Sequence, residues 1–294
     1  MHEGVEITTR SGVRLHVERW SPPPGRPIRF VVVLSHGAAE HVGRYDQLAG
    51  WLVDQGGLVF GADHRGQGLS GGPAGHVDRF SDYCDDLDEV IAAACHTLPP
   101  AALPDEARWF LYGQGMGGLV VLTYLLLRGD DHPFAGAIVS APLLGLAAPV
   151  PAYRRRLAAI LGRIWPRLRL PTGLPVDALS RERRVVAAFR ADRRRVDKVS
   201  ARWFKAMHEA AARARADAPS LTLPMLWMVG GADRICDPEA TRAVFDALPA
   251  AADHDQTMKI FDGYFHELHH EPELLQRPVR DLVVGWIQRR AGDR

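Results

Sequence analysis

Short apolar runs alternate along this chain with longer segments whose apolar residues recur every three or four positions. Phe30 to Leu34 is a continuous, largely β-branched run of the kind that forms a strand buried on both faces, and a helix is predicted from about Tyr45 to Asp54. The pair repeats as strand Leu58 to Gly61 with helix Asp82 to Leu98, then as strand Trp109 to Tyr112 with helix Leu119 to Leu127, followed by strand Ala135 to Ser140. After a long interruption come strand Pro224 to Val229, helix Pro238 to Ala247, strand Met258 to Phe261 and helix Pro272 to Arg289. Ahead of the series, Val5 to Thr8 and Arg14 to Trp20 flank Ser11-Gly12 as an opening hairpin. Such alternation predicts an α/β fold, a mostly parallel sheet with helices on both faces, and places ligands beyond the carboxyl ends of the strands.

The interruption, residues 145–218, reads as a helical cap inserted into a core formed by residues 1–144 and 219–294. Leu157, Ile160, Leu161, Ile164, Trp165 and Leu168 fall on one helical face, with Arg154, Arg155, Arg156, Arg163, Arg167 and Arg169 around it. The expectation is a lid helix, interrupted by Pro166, whose apolar face covers a pocket, with Leu157, Ile160, Leu161 and Ile164 contacting substrate. A basic amphipathic helix is also compatible with peripheral contact with a membrane surface.

Composition narrows the function classes. With 294 residues and 47% hydrophobic content the chain can bury a sizeable core, and a formal net charge of +1 gives no global field for nucleic acid. The N-terminal MHEGVEITTRSGVRL has no apolar signal region and no later run reaches bilayer-spanning length, so a cytoplasmic location is expected. Three cysteines, Cys84, Cys95 and Cys236, are too few for a disulfide framework and are expected reduced and packed.

Chemistry concentrates in loops at predicted strand ends. Gly113-Gln114-Gly115-Met116-Gly117-Gly118 joins strand to helix and matches the frame of the nucleophile elbow G-x-S-x-G, with Gly115 in place of the serine. Gly113, Gly115 and Gly118 also match G-x-G-x-x-G literally, but the next strand ends in Val139-Ser140-Ala141 without the acidic residue that a dinucleotide site requires, so no cofactor is expected. His266-Glu267-Leu268-His269-His270 matches the zinc motif H-E-x-x-H, yet it follows a strand and turn, and no third ligand is signalled, so no metal is expected.

Taken together, HGAAEH from His36, DHRGQG from Asp63, GQGMGG from Gly113, GGADRICDP from Gly230 and GYFHELHHE from Gly263 resemble the α/β-hydrolase family, in its monoacylglycerol lipase and lysophospholipase branch. The resemblance covers nearly the whole chain. It implies Asp233 and His266 as acid and base, the backbone N–H groups of Ala38 and Met116 as oxyanion donors, and an apolar, lipid-like small-molecule substrate. At the nucleophile the chain departs: Gly115 stands where that family has serine, and Gln114 where the branch usually has histidine. Loss of a triad nucleophile costs about a millionfold in turnover. Three readings follow: an enzyme using the His266 and Asp233 dyad as a general base without an acyl-enzyme, a carboxylester hydrolase inactivated by a serine-to-glycine change at position 115, and a non-catalytic binding protein. Survival of Asp233, His266 and the HG turn favours the first two.

Overall fold

The structure is a computed structural model that describes residues 1–97, 108–148, 153, 160–249 and 255–292. Eight strands form one sheet: β1 (His2–Thr8), β2 (Arg14–Trp20), β3 (Phe30–Ser35), β4 (Gly57–Ala62), β5 (Arg108–Gln114), β6 (Phe134–Ser140), β9 (Met225–Gly230) and β10 (Gln256–Phe261). Their order is β1-β2-β4-β3-β5-β6-β9-β10, with the β1–β2 and β2–β4 pairings antiparallel and the rest parallel. From β3 the chain steps to β4 on one side and then to β5 on the other. The loops after β3 and β5 therefore part at a topological switch, where an open sheet forms its crevice.

Alternate residues of the central strands feed two cores. Val31, Val33 and Leu111 pack beneath α2 (Ser81–Thr97) and α3 (Met116–Arg128), whereas Val32, Leu34, Phe110 and Tyr112 face α1 (Asp46–Val53) and α7 (Glu273–Ala291). The continuous apolar reading of β3 is thus the consequence of helices on both faces. Among the described residues no helix is long and apolar enough to cross a membrane.

Helix α3 begins at Met116, three residues before the apolar run that predicts it. Gly117 and Gly118 carry no apolar side chain to signal a helix, but they are what lets its first turn touch the sheet. A Cβ on Gly117 would lie 2.0 Å from the Ser35 carbonyl oxygen, and one on Gly118 would lie 3.0 Å from Pro142 Cα.

Between β6 and β9 the insertion contributes residues 160–164 in helix, the short antiparallel pair β7 (Arg169–Pro171) and β8 (Lys198–Ser200), α4 (Arg183–Ala191) and α5 (Ala201–Asp217). The pair was not legible as strand, because three-residue strands bearing arginine and lysine leave no period-two pattern. The insertion is tied to the core where the Ser200 amide donates to the Gly75 carbonyl at 2.8 Å and His76 Nδ1 meets Ser200 Oγ at 2.8 Å. Helix α6 (Pro238–Asp246) follows β9.

Two glycines give a paired test of this packing. Gly117→Ala drives a Cβ into backbone and should destabilise the protein by about 3 kcal/mol or more, at or beyond the upper end of ordinary overpacking. Gly50→Ala, inside α1 with nothing within 4 Å of the new Cβ, should instead stabilise it by about 0.5–1 kcal/mol. Urea denaturation of both variants reads the two opposite signs.

Candidate active site

Four strand-end loops meet at the switch point. The turn after β5 places Gly115 at φ 53 and ψ −114, outside helical space, with its amide donating to the Ser140 carbonyl at 2.9 Å. That backbone is open to glycine and costly for other residues. Beyond β9, Asp233 Oδ1 accepts from the amides of Ile235 at 2.7 Å and Cys236 at 3.1 Å, which leaves Oδ2 to receive His266 Nδ1 at 2.8 Å. Both side chains are buried. This bond fixes the imidazole so that Nε2 faces the elbow, 3.1 Å from where a Cβ on Gly115 would stand. Burial acts against charge on His266, but Asp233, with Cys236 beside it, outweighs that and lifts the pKa well above the ordinary 6.5.

Ala38, after the HG turn, and Met116, opening α3, line the same cavity as Gly115 and His266. Among the described residues neither amide has a protein acceptor. Met116 also begins a helix whose N-terminal dipole favours negative charge. The next residue of the turn, Ala39, adopts φ 65 and donates its amide to Gln67 Oε1 at 2.9 Å, so the turn is held from the DHRGQG loop. Gln114 has a role that sequence reasoning left blank: its Nε2 donates to the His266 carbonyl at 3.1 Å, tying elbow to histidine loop.

Cys236 is free, buried and packed into the core as expected, and it also lines the cavity beside His266, where ligand atoms of Asp233, Cys236 and His266 lie within 4.8 Å of one another. Cys95, also expected to be packed, is exposed, being on the outer side of α2. The cavity itself measures about 660 Å³ and is mainly apolar, with Gly115, Met116 and His266 at its base and Leu161, Trp203 and Met207 from the insertion above. Leu161 lines it, whereas Ile160 and Ile164 turn outward, 54% and 79% exposed. The reason lies at Gly162, which packs against α5 close to the Ala201 carbonyl and fixes which side of the helix faces inward. Leu157 is outside the described residues.

The H-E-x-x-H spacing resolves into a clamp. Glu267 receives Arg44 through two bonds of 2.6 Å each, and Arg44 also pairs with Glu40. Glu40 Oε1 accepts the Gly37 amide at 2.5 Å and the Tyr45 hydroxyl at 2.6 Å. His270 is spent on Glu267 at 2.7 Å and on the Arg44 carbonyl at 2.9 Å, and His269 stacks on Tyr45. Of the two motif histidines, His266 is committed to Asp233 and His270 to Glu267, so they do not serve a common point. Burial works against charge on both Arg44 and Glu267, but the pairing prevails, keeping Arg44 protonated and Glu267 well below the ordinary 4.5.

Arg44→Gln should cost about 3–5 kcal/mol, since it leaves two buried carboxylates without their cation. Arg44→Lys, retaining the charge without the fork, should cost less. Because the Glu267 pKa is depressed, its contribution is present above the unfolded carboxylate value and disappears as pH falls through the folded one. The stability gap between the natural protein and Arg44→Gln, measured by denaturant titration, should accordingly be widest near neutral pH and narrow in acid.

Comparison with known proteins agrees with this architecture. The chain is 33% identical over 279 residues to the monoacylglycerol lipase of Mycolicibacterium smegmatis, covering 94% of this chain and 93% of that one. It is 29% identical to a longer abhydrolase domain-containing protein of Dictyostelium discoideum, covering 97% of this chain but 29% of that one. The crystal structure of Paleococcus ferrophilus monoacylglycerol lipase superposes with a TM-score of 0.81 at 31% identity, covering 93% of this chain and 98% of that one. With residues 26–273 matching the family described as Serine aminopeptidase, S33, the chain belongs to that family of α/β-hydrolases, in its monoglyceride lipase-like branch.

Proposed function

We propose that this chain is an enzyme in which His266, oriented by Asp233, acts as a general base on a lipid-like small molecule without forming an acyl-enzyme. The observation that carries this reading is the position of His266 Nε2, facing the side-chain-free Gly115 beside two amides that have no protein acceptor. A substrate C–H or O–H, or a water standing at the elbow, gives its proton to Nε2. The electron pair left behind develops on an oxygen held by the Ala38 and Met116 amides. Chemistry in which the substrate supplies its own acidity suits this site, such as enolate or phenolate formation followed by addition. The apolar cavity and the relatives' names support a lipid-like ligand.

A second reading, a carboxylester hydrolase lacking its serine, is favoured by one feature. A Cβ at Gly115 would clash with nothing but the His266 ring, at 3.1 Å, which a shift of a few tenths of an ångström relieves. Gly115→Ser should fold at a cost of about 1–3 kcal/mol for the strained backbone. Its hydrolysis of p-nitrophenyl esters and its labelling by a fluorophosphonate decide between the readings. A large gain supports the ester-hydrolase reading, and no gain in the folded variant supports the first.

The general-base reading has its own test in the natural chain. Proton-to-deuterium exchange at the α-carbon of a long-chain β-keto ester, followed by NMR, should fall by about 10²-fold or more in His266→Ala. With the His266 pKa raised, the basic form accumulates only as pH rises, so exchange should climb with pH through a value above 6.5. Asp233→Asn should move that limb to lower pH and slow the reaction. Unchanged exchange in both variants would leave a binding protein as the better description.

A further inference from the structure

The β1–β2 hairpin carries a cluster of ring nitrogens that no sequence motif announces. Alternation along β2 puts His16, Glu18 and Trp20 on one face, and pairing in register with β1 sets His2 opposite Trp20 and Gly4 opposite Glu18. The chain terminus is held in that register, because the Met1 ammonium donates to the Ser21 carbonyl at 2.6 Å. Glu18 is buried, and imidazole meets its carboxylate on both sides: His2 Nε2 lies 2.7 Å from Oε2 and His16 Nε2 lies 3.3 Å from Oε1. Among the described residues no lysine or arginine pairs with it.

A third imidazole approaches from the loop after β3. His41 is 1% exposed and donates from Nε2 to Asp192 Oδ2 at 2.6 Å, which leaves the lone pair of the neutral ring on Nδ1. That atom has no partner among the described residues. Glycine leaves open the space that it faces. A Cβ on Gly43 would stand 3.2 Å from His41 Nδ1 and 3.0 Å from Glu18 Oε1, and one on Gly4 would stand 3.0 Å from His16 Cε1. A ring lone pair and a carboxylate oxygen thus border one small volume with no hydrogen bond between them, an arrangement that is costly unless something positive joins them. A divalent cation does so, and supplies the positive charge that the buried Glu18 lacks.

The donors select the ion. Three imidazole nitrogens and one carboxylate suit zinc, whereas magnesium and calcium take oxygen ligands. The outer partners are those that metal-bound histidines use: Asp192 stands behind His41, and Asp46 lies 3.7 Å from His2 Nδ1, itself fixed by the Trp20 indole N–H at 2.8 Å. Ligand atoms of His2, Glu18 and Asp46 lie within 4.8 Å of one another.

We propose that His2, His16, Glu18 and His41 form a zinc site. The ion ties the hairpin to the loop that carries Glu40 and Arg44 and, through Asp192, to the insertion. The proposal makes no use of the chemistry at Gly115.

The test uses zinc alone, added to the full chain after chelator treatment and followed by equilibrium dialysis with elemental analysis and by thermal melting. One equivalent is expected, with a rise in melting temperature. His16→Gln and Glu18→Gln should each remove the bound equivalent. Should either misfold, two other variants carry the test, judged where their circular dichroism matches that of the natural chain. Asp192→Asn, behind His41, should weaken binding by about 10- to 100-fold, and His2→Gln, at an exposed strand end, should weaken it at least as far. Cys236→Ser is the control, because Asp233, Cys236 and His266 form a second group of candidate ligand atoms. Binding should survive that change, and the cobalt(II) form of the natural chain should lack a thiolate charge-transfer band. No bound zinc, zinc that is indifferent to the His16, Glu18, His2 and Asp192 substitutions, or zinc lost with Cys236 would each overturn the proposal, the first leaving Glu18 as a hydrogen-bond acceptor for imidazole alone.

Discussion

The site depends on the buried guanidinium of Arg44. Its two carboxylate partners belong to segments more than two hundred residues apart in sequence, Glu40 on the turn after β3 and Glu267 next to His266. Glu40 also receives the Gly37 amide, which orients the turn bearing the Ala38 N–H. One side chain therefore couples the loop that carries Ala38 to the loop that carries His266. Phe189 of the insertion covers the guanidinium at 4.8 Å, and His41 on the same turn donates from Nε2 to Asp192 at 2.6 Å, so the insertion is registered against this clamp as well. An ion pair excluded from water in this way is intolerant of losing either partner, which makes it suited to fixing relative positions and unsuited to gradual movement.

Much of the architecture was legible because burial on two faces leaves a direct mark. β3, β5 and β9 are continuous apolar runs for the same reason that helices cover both sides of the sheet. Asp233 and His266 were legible through their motifs, and the structure brings them to hydrogen-bond distance. What was not legible depends on direction. Periodicity grouped Leu161 with Ile160 and Ile164, but only tertiary packing at Gly162 determines which of them turns inward. Cys236 is packed as expected, but a single apolar-looking residue after an acid gives no sign that its loop folds back onto a histidine. The H-E-x-x-H string, conversely, carried a chemical meaning that the fold does not use: its glutamate serves Arg44 and its second histidine serves that glutamate.

Glycine at the elbow changes the balance between strain and reactivity. At φ 53 and ψ −114 a side chain costs about 1–3 kcal/mol, a cost that serine hydrolases bear because the turn exposes their nucleophile. Gly115 removes both the strain and the attacking atom, while the groups that surround that atom remain. A dyad of this kind retains proton transfer, worth typically about 10² to 10⁴-fold, and anion stabilisation worth about 2.7–4 kcal/mol for each well-placed donor. Together these are too little for rapid cleavage of an unactivated ester. They are sufficient where the substrate's own acidity lowers the barrier, and Asp233 meets that need from the other side by making His266 more basic than a free imidazole. The raised basicity and the missing hydroxyl are thus the two features on which the proposed abstraction of a proton from the ligand rests.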